Sequence, residues 1–339
     1  MMRYIFILIL GAVLLLRIPS ADFSKEVDNE VSVSIPQIEQ LRQSFVYNTK
    51  TLLTSPYAGL LLGMVIGIKD EIPYGYNQRL KNVGIVHVVV VSGQNLTLLA
   101  GFILGIAPYL GRRKTIWISI LVIMFYVFLT GFQIPVIRAA IMFFMASLAK
   151  LYGREGDSIS VLAITALVML IINPLWLISI SFQLSFLATI GVVVVAPELV
   201  KQARYVPEVL KQDLSVTIAA QIMTAPIIAF YFNQFSVVGL LVNVLLLWTI
   251  PLIMILGAFG LIISLISLKL ASIILIIPNI LLHFFVSIVD IFNEPWASTY
   301  INSFNFIQLV GIYLVIISLY AWIKLRNGDT MDESEAKNI

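Results

Sequence analysis

Within one strongly apolar stretch, Gly84-Ile-Val-His87-Val-Val-Val-Val-Ser92-Gly93-Gln94-Asn95, the chain sets an imidazole, a hydroxyl and two carboxamides. His and Ser are the pair that nucleophilic catalysis uses, yet five residues of straight helix rotate the chain by about 140 to 150°, which parts their side chains. Paired carboxylates for acid–base work are missing as well, because Asp and Glu are nearly absent from the apolar runs. That shortage also argues against a proton-coupled pump. With no cysteine and two histidines far apart, neither disulfides nor a metal centre is expected, and no cofactor is implied. No G-x-x-x-x-G-K-[ST] occurs, so any energy input must come from a partner. We therefore expect no enzyme and no catalytic residue. What remains is the chemistry of polar groups in lipid, where an unsatisfied group costs several kcal/mol. His87, Ser92, Gly93, Gln94 and Asn95 must face protein or a wet cavity, and they are candidate lining residues.

Other polar residues recur at membrane depth. Thr130-Gly131-Phe132-Gln133 precedes Arg138, the full charge near the start of the Pro135 run. Arg138 has three readings: snorkelling to the outer surface, capping carbonyls freed by the Gly131 to Pro135 turn, or offering charge to an anion. Ser181, Ser185 and Thr189 recur every four residues on one helix face, with Gln183 between them, while Thr217, Gln221 and Thr224 share a face of a later segment. Two such stripes line a path or hydrogen-bond between helices. Asn243 interrupts another apolar run. His283 and Asp290, seven apart, read better as a structural pair.

The elements that must position these residues follow from composition. The 339 residues are 60% hydrophobic and 12% charged, too little polar surface for a soluble globule of this size. The apolar runs suit the roughly 20 residues of a helical span rather than the ten-residue alternation of a membrane barrel. The expected fold is all-α, a polytopic integral membrane protein of about nine segments plus re-entrant or interfacial half-helices. Residues 1–18 form an anchor or signal segment, and 19–55 a linker followed by a surface helix. Tyr57 to Ile68 is short and punctuated by Gly59, Gly63 and Gly67, so it re-enters or lies in the interface. Spans are expected over His87–Ala107, Thr115–Thr130, Pro135–Leu151, Ile159–Ile172, Leu177–Ala196, Leu214–Phe232, Ala271–Ile291 and Phe306–Lys324. Ser236–Leu268 would be roughly 50 Å long as one helix and must break, near Asn243 and Pro251, into a half-helix to about Thr249 and a true span. Basic clusters at Arg112-Arg113-Lys114, Lys150 with Arg154, Lys201 with Arg204 and Lys211, and Lys324 with Arg326 mark the cytoplasmic side, leaving residues 19–86 outside and the C-terminus inside. Lys269 joins that inner side if Ser236–Leu268 crosses an odd number of times.

Several motifs in order, Gly84-x-x-His87 through Ser92-Gly93-x-Asn95, Thr130-Gly131 with Arg138-Ala139, Asn173-Pro174-Leu175 through Ser181-Phe182-Gln183-Leu184-Ser185-Phe186 to Gly191, and Gln221-x-x-Thr224-x-Pro226 through Asn243 to Pro251, resemble the membrane domain of the ComEC family. Those bacterial proteins are implicated in passing single-stranded DNA across the cytoplasmic membrane during natural transformation. The resemblance covers roughly residues 36–325 and implies a channel core at 56–325 with a cytoplasmic tail at 326–339. Asn95 stands where many relatives have His. Neither the OB-like nor the metallo-β-lactamase-like domain of larger members is expected in this sequence, which contains no H-x-H-x-D signature. The implied partners are single-stranded DNA, the lipid bilayer, a cytoplasmic helicase or ATPase and an extracytoplasmic DNA receptor. Separate OB or metallo-hydrolase subunits and a homo-oligomer complete the set. From the residues alone, a small-solute permease built on broken helices and a membrane scaffold stand as alternatives.

Overall fold

A computed structural model describes residues 35–89, 91–105, 107–153, 157–203, 206–300 and 304–336. The expected segment at 1–18, most of the linker that follows it and Arg154 and Arg204 lie outside the described residues. The described chain is predominantly helical, and four helical stretches are long and apolar enough to cross a membrane: Ile134–Leu151, Ile180–Gln202, Lys211–Phe232 and Phe306–Lys324. Two bent pairs raise the number to six if each is one span. Nine segments were expected; of the three not recovered, His87–Ala107 and Ile159–Ile172 are reduced to the helices Asn95–Leu104 and Ser158–Ile172, too short alone for a core of about 30 Å, and Thr115–Thr130 lies in the helix Arg112–Leu129, which opens on three cations.

The chain divides into two compact units. The first comprises Met1–Phe182 and Ser236–Ser298. It holds α1 (Pro36–Leu52), α2 (Tyr57–Ile66), α3 (Tyr74–Val83), α4 (Val86–Val89), α5 (Gly93–Leu104), α6 (Ala107–Leu110), α7 (Arg112–Leu129), α8 (Ile134–Leu151) and α9 (Ser158–Ile172). The start of α10 (Ile180–Ile190) also belongs to it. The second unit comprises Gln183–Phe235 and Thr299–Ile339. There α10 runs through a π turn (Gly191–Val195) into α11 (Ala196–Gln202), followed by α12 (Glu208–Phe232). Strand β1 (Gln234–Ser236) leads back to the first unit, which adds α13 (Gly239–Leu247), α14 (Thr249–Ser264), α15 (Leu268–Ile274) and α16 (Ile276–Phe292). Strand β2 (Ser298–Tyr300) pairs with β1, and α17 (Phe306–Ala336) ends the second unit.

Local chemistry explains the breaks. The run from Ser236 does divide, at Trp248, where α13 and α14 bend by 51°. Pro251 stands third in α14 and has no N–H to donate to Leu247, the last residue of α13, so the ladder cannot pass. Ala271–Ile291, expected as one span, is broken in the same way: α15 and α16 bend by 51° at Leu275, and Pro278 cannot donate to Ile274. The expected span His87–Ala107 is also interrupted, because Ser92 is extended (φ −123°, ψ 173°) and α5 starts afresh at Gly93. Other ends carry ordinary caps. Asp157 accepts from Ser160 N–H at the head of α9, and Gly84 (φ +80°) closes α3 while Ile85 N–H donates to Leu80.

The core of the first unit is built around α2. Every residue from Ala58 to Ile66 is buried, and Leu60, Leu61, Leu62 and Met64 are fully so. Residues of α1, α3, α13, α14 and α16 surround them, including Phe45, Leu80, Val242, Ile253 and Phe285. The glycines permit this: a Cβ on Gly63 would stand 2.9 Å from the Val89 carbonyl, and one on Gly257 of α14 2.6 Å from Leu61. So α2 is enclosed by protein rather than lying on its surface. Asn48 of α1 donates to the Ser264 carbonyl at 3.0 Å, and Arg79 of α3 meets Asp290 at 2.8 Å. The α14–α15 corner, Lys269 included, therefore lies beside α1. Lys269 gives no independent support for a crossing away from the side on which residues 19–86 were placed.

Candidate functional site

Ten residues of α2 rise about 15 Å and end inside the protein. The last carbonyls of a helix have no partner within it, and in a dry interior each must be met by a donor. Gly63 O accepts from Gly67 N–H and Leu62 O from Ile68 N–H, with Gly67 left-handed at φ +77°. The next acceptors are met by side chains from three elements. Asn95 Nδ2 of α5 donates to Met64 O at 2.9 Å, Tyr126 Oη of α7 to Val65 O at 2.8 Å, and Gln133 Nε2 at the head of α8 to Gly67 O at 2.8 Å. Sequence reasoning proposed Asn95 as a lining residue, and the structure places it 2% exposed as a helix cap. Its Oδ1 accepts from Ser92 Oγ at 3.2 Å, which ties the break before α5 to the end of α2. Tyr126 was missed altogether. A buried apolar helix closed by a glycine implies donors nearby, and that was the available signal.

Two further sequence motifs converge on this place. Arg138, on the first turn of α8, is 8% exposed, so snorkelling to water is excluded. A Cβ on Gly93 would stand 2.7 Å from its Nη2, so the missing side chain at Gly93 makes room for the guanidinium. Gln133 is 3% exposed and its Oε1 has no hydrogen-bond partner. Thr130 is 1% exposed and donates to its own helix at Val127 O, while Gly131 (φ +75°) and Phe132 (φ +56°) turn the chain between α7 and α8. Gly84 packs against Ser236, a Cβ there falling 2.5 Å from the serine Cβ. His87 is exposed and carries no hydrogen bond to Ser92. The helical rotation argument against that pair no longer applies, since the helix is broken between them. Gln94 is at the start of α5. Asn243, on α13, has a buried Oδ1 without a partner.

The two polar stripes resolve differently. Thr189 Oγ1 donates to Ser185 O and Thr224 Oγ1 to Ala220 O, each at 2.9 Å within its own helix. A hydroxyl satisfied by its own backbone tolerates an apolar neighbour. Ser181, Gln183, Ser185, Thr189, Gln221 and Thr224 are all partly exposed, whereas Thr217 is buried. In the second unit the π turn meets α12 at Gly191, where a Cβ would stand 2.5 Å from the Ala219 carbonyl oxygen. Tyr313 of α17 donates to Met223 O of α12 at 2.8 Å.

One group of titratable residues in the first unit was read from sequence only as a structural pair. His283 stacks on Tyr57, ring centroids 3.9 Å apart, and Arg79 bonds Asp290 at 2.8 Å. Tyr76 on α3 is 6% exposed and its hydroxyl has no partner. Burial holds the Tyr76 phenol well above its usual range, and the nearby Asp290 carboxylate adds to the shift.

The profile of the family described as Competence protein matches residues 64–326. The chain is 28% identical over 219 residues to ComE operon protein 3 of Bacillus subtilis (strain 168), covering 62% of this chain and 27% of that protein. It is 25% identical to the uncharacterized protein YcaI of Escherichia coli (strain K12), over 48% of this chain and 23% of the relative. An uncharacterized protein of Aquifex aeolicus (strain VF5) is 31% identical, over 48% of this chain and 37% of that one. The chain thus spans less than two-fifths of the length of the curated relatives it matches. No solved structure matches it.

Proposed function

The chain belongs to the competence protein family, and from that premise we propose that it is a multi-pass conduit for single-stranded DNA entering the cell in natural transformation. The match over residues 64–326 carries the reading, since it takes in every motif that meets around the end of α2. The conduit sits in the bacterial cytoplasmic membrane, with α5, α7 and α9 completing about nine membrane segments and the C-terminus inside. In the first unit the strand passes His87 and Ser92, beside Arg138; in the second, the partly exposed hydroxyls of α10 and α12 offer it a polar surface. Asn95 and Gln133 hold its frame.

The role is transport, without bond chemistry. A phosphate moved inward against an inside-negative potential costs about 2.3 kcal/mol per 100 mV for each charge that crosses the full field. A cytoplasmic helicase or ATPase therefore drives the strand, and an outer receptor delivers it. Few cations at depth suit this task, because strongly held phosphates would stall the strand. The two bent helix pairs favour one second reading, a small-solute transporter, since discontinuous helices build such sites.

A deletion strain given labelled DNA separates the two. The conduit reading expects DNA to bind at the surface and fail to become nuclease-resistant, with recovery on complementation. Normal internalisation in an otherwise competent deletion strain contradicts it.

A further inference from the structure

Asn279, His283, Ser287 and Asp290 follow one another on α16 at spacings of four, four and three, so they share one face. His283, Ser287 and Asp290 are exposed. A second face, with Leu282, Phe285 and Val289, is fully buried, and a third presents Ile276, Ile280, Phe284 and Ile291 as exposed apolar surface. Protein accounts for the second face and lipid for the third. Neither accounts for the first, because an exposed imidazole and carboxylate are costly in hydrocarbon. That face borders water.

What stands over it is aromatic and cationic. Tyr57 lies on His283 with rings 22° from parallel, and His283 Nδ1 sits 2.8 Å from the Asn279 carbonyl. A carbonyl cannot donate, so Nδ1 carries a proton and Nε2 is left as an acceptor. Seven residues on, about 10 Å along the helix, Arg79 and Asp290 form an ion pair with side chains 49% and 42% exposed. The unpartnered hydroxyl of Tyr76 lies among these groups.

We infer that the Asn279–Asp290 face of α16 is a contact site for single-stranded nucleic acid, with a base stacking at the Tyr57–His283 pair and a phosphate taking Arg79 from Asp290. The inference rests on the conduit reading and adds a binding surface to it. Stacking on aromatic rings with a cation beside them is how single strands are held without sequence preference. A lipid headgroup would use Arg79 and leave the aromatic pair idle. Asp290 keeps the cation occupied until a strand arrives, which lets a strand leave as readily as it binds.

The test is anisotropy of a fluorescein-labelled thymidine 20-mer with the full chain in nanodiscs of neutral lipid. Loss of the ring in His283→Ala or His283→Gln weakens binding roughly tenfold, the order expected for one stacked base. Arg79→Gln weakens it roughly fivefold and shallows the salt dependence, while Asp290→Asn, which releases Arg79, tightens it by a similar factor. Those opposite signs distinguish a ligand contact from a structural ion pair, for which both substitutions act alike. Equal losses, or α16 variants that bind as wild type does, overturn the assignment and leave the conduit reading standing. A wild-type chain that binds no strand at all takes both down. In nanodiscs of anionic lipid, displacement of the strand that depends on Arg79 and not on His283 would make the face a headgroup site and overturn the assignment too.

Discussion

Asn95 shows what a single residue type can and cannot disclose. Its carboxamide in an apolar stretch demands a partner, which is legible from sequence; that the partner is the Met64 carbonyl is not, because 31 residues separate them. The same holds for Gln133 and Gly67 O. Removing a donor strands a buried carbonyl, so Asn95→Leu costs about 1–3 kcal/mol and lowers the thermal unfolding midpoint in detergent. Asn95→His, which keeps a donor, recovers part of the loss. A midpoint unchanged in Asn95→Leu would mean the bond is not holding α2. Gly93→Val should be as damaging, since its side chain meets the Arg138 guanidinium. Tyr76 points the other way. Its buried hydroxyl has no partner, so Tyr76→Phe is neutral or stabilising. The raised phenol also makes the folded state hold its proton after the unfolded chain has lost it, so stability falls as pH rises past about 10. Tyr76→Phe lessens that alkaline loss in a melting series from pH 8 to 11.

At the scale of elements, the apolar runs announced helices, and the long run from Ser236 announced a break, since length against bilayer thickness needs no tertiary information. The break in Ala271–Ile291 escaped notice because that run has a plausible span length, and the helix boundary that puts Pro278, eighth in the run, only third in α16 is not legible from sequence. The two proline breaks share one cause and one angle. Pro251→Ala and Pro278→Ala each restore an N–H donor and should join the paired helices, seen as new amide-exchange protection across Trp248 or Leu275. Protection unchanged in both would place the cause of the bend elsewhere. The hydroxyl stripes of α10 and α12 were legible as stripes, but not their bonding, because a threonine's choice between its own backbone and a neighbouring helix depends on how close that helix comes. Gly191 sets that approach in the second unit. Gly191→Leu pushes into the Ala219 carbonyl and should destabilise the chain by about 1–3 kcal/mol, read as a lower unfolding midpoint.

The whole molecule is a family member in which two of the ordered motifs, those around Asn95 and Arg138, meet where a short buried helix ends. Membrane class and helical fold were legible from composition; the span count was not, since helices of 10 to 17 residues qualify only by what surrounds them. Orientation rests on the other basic clusters, since Lys269, in the corner beside α1, adds no independent support. The central claim is that a DNA strand passes through this protein. It is tested most directly by stalling a strand in transit in competent cells, with a bulky protein fixed to its trailing end and photoreactive bases along it, and mapping the crosslinks. The account predicts crosslinks to this chain, in peptides around His87–Arg138 and on α16, that vanish without the cytoplasmic motor. A stalled strand that crosslinks to other membrane proteins and never to this chain would contradict it.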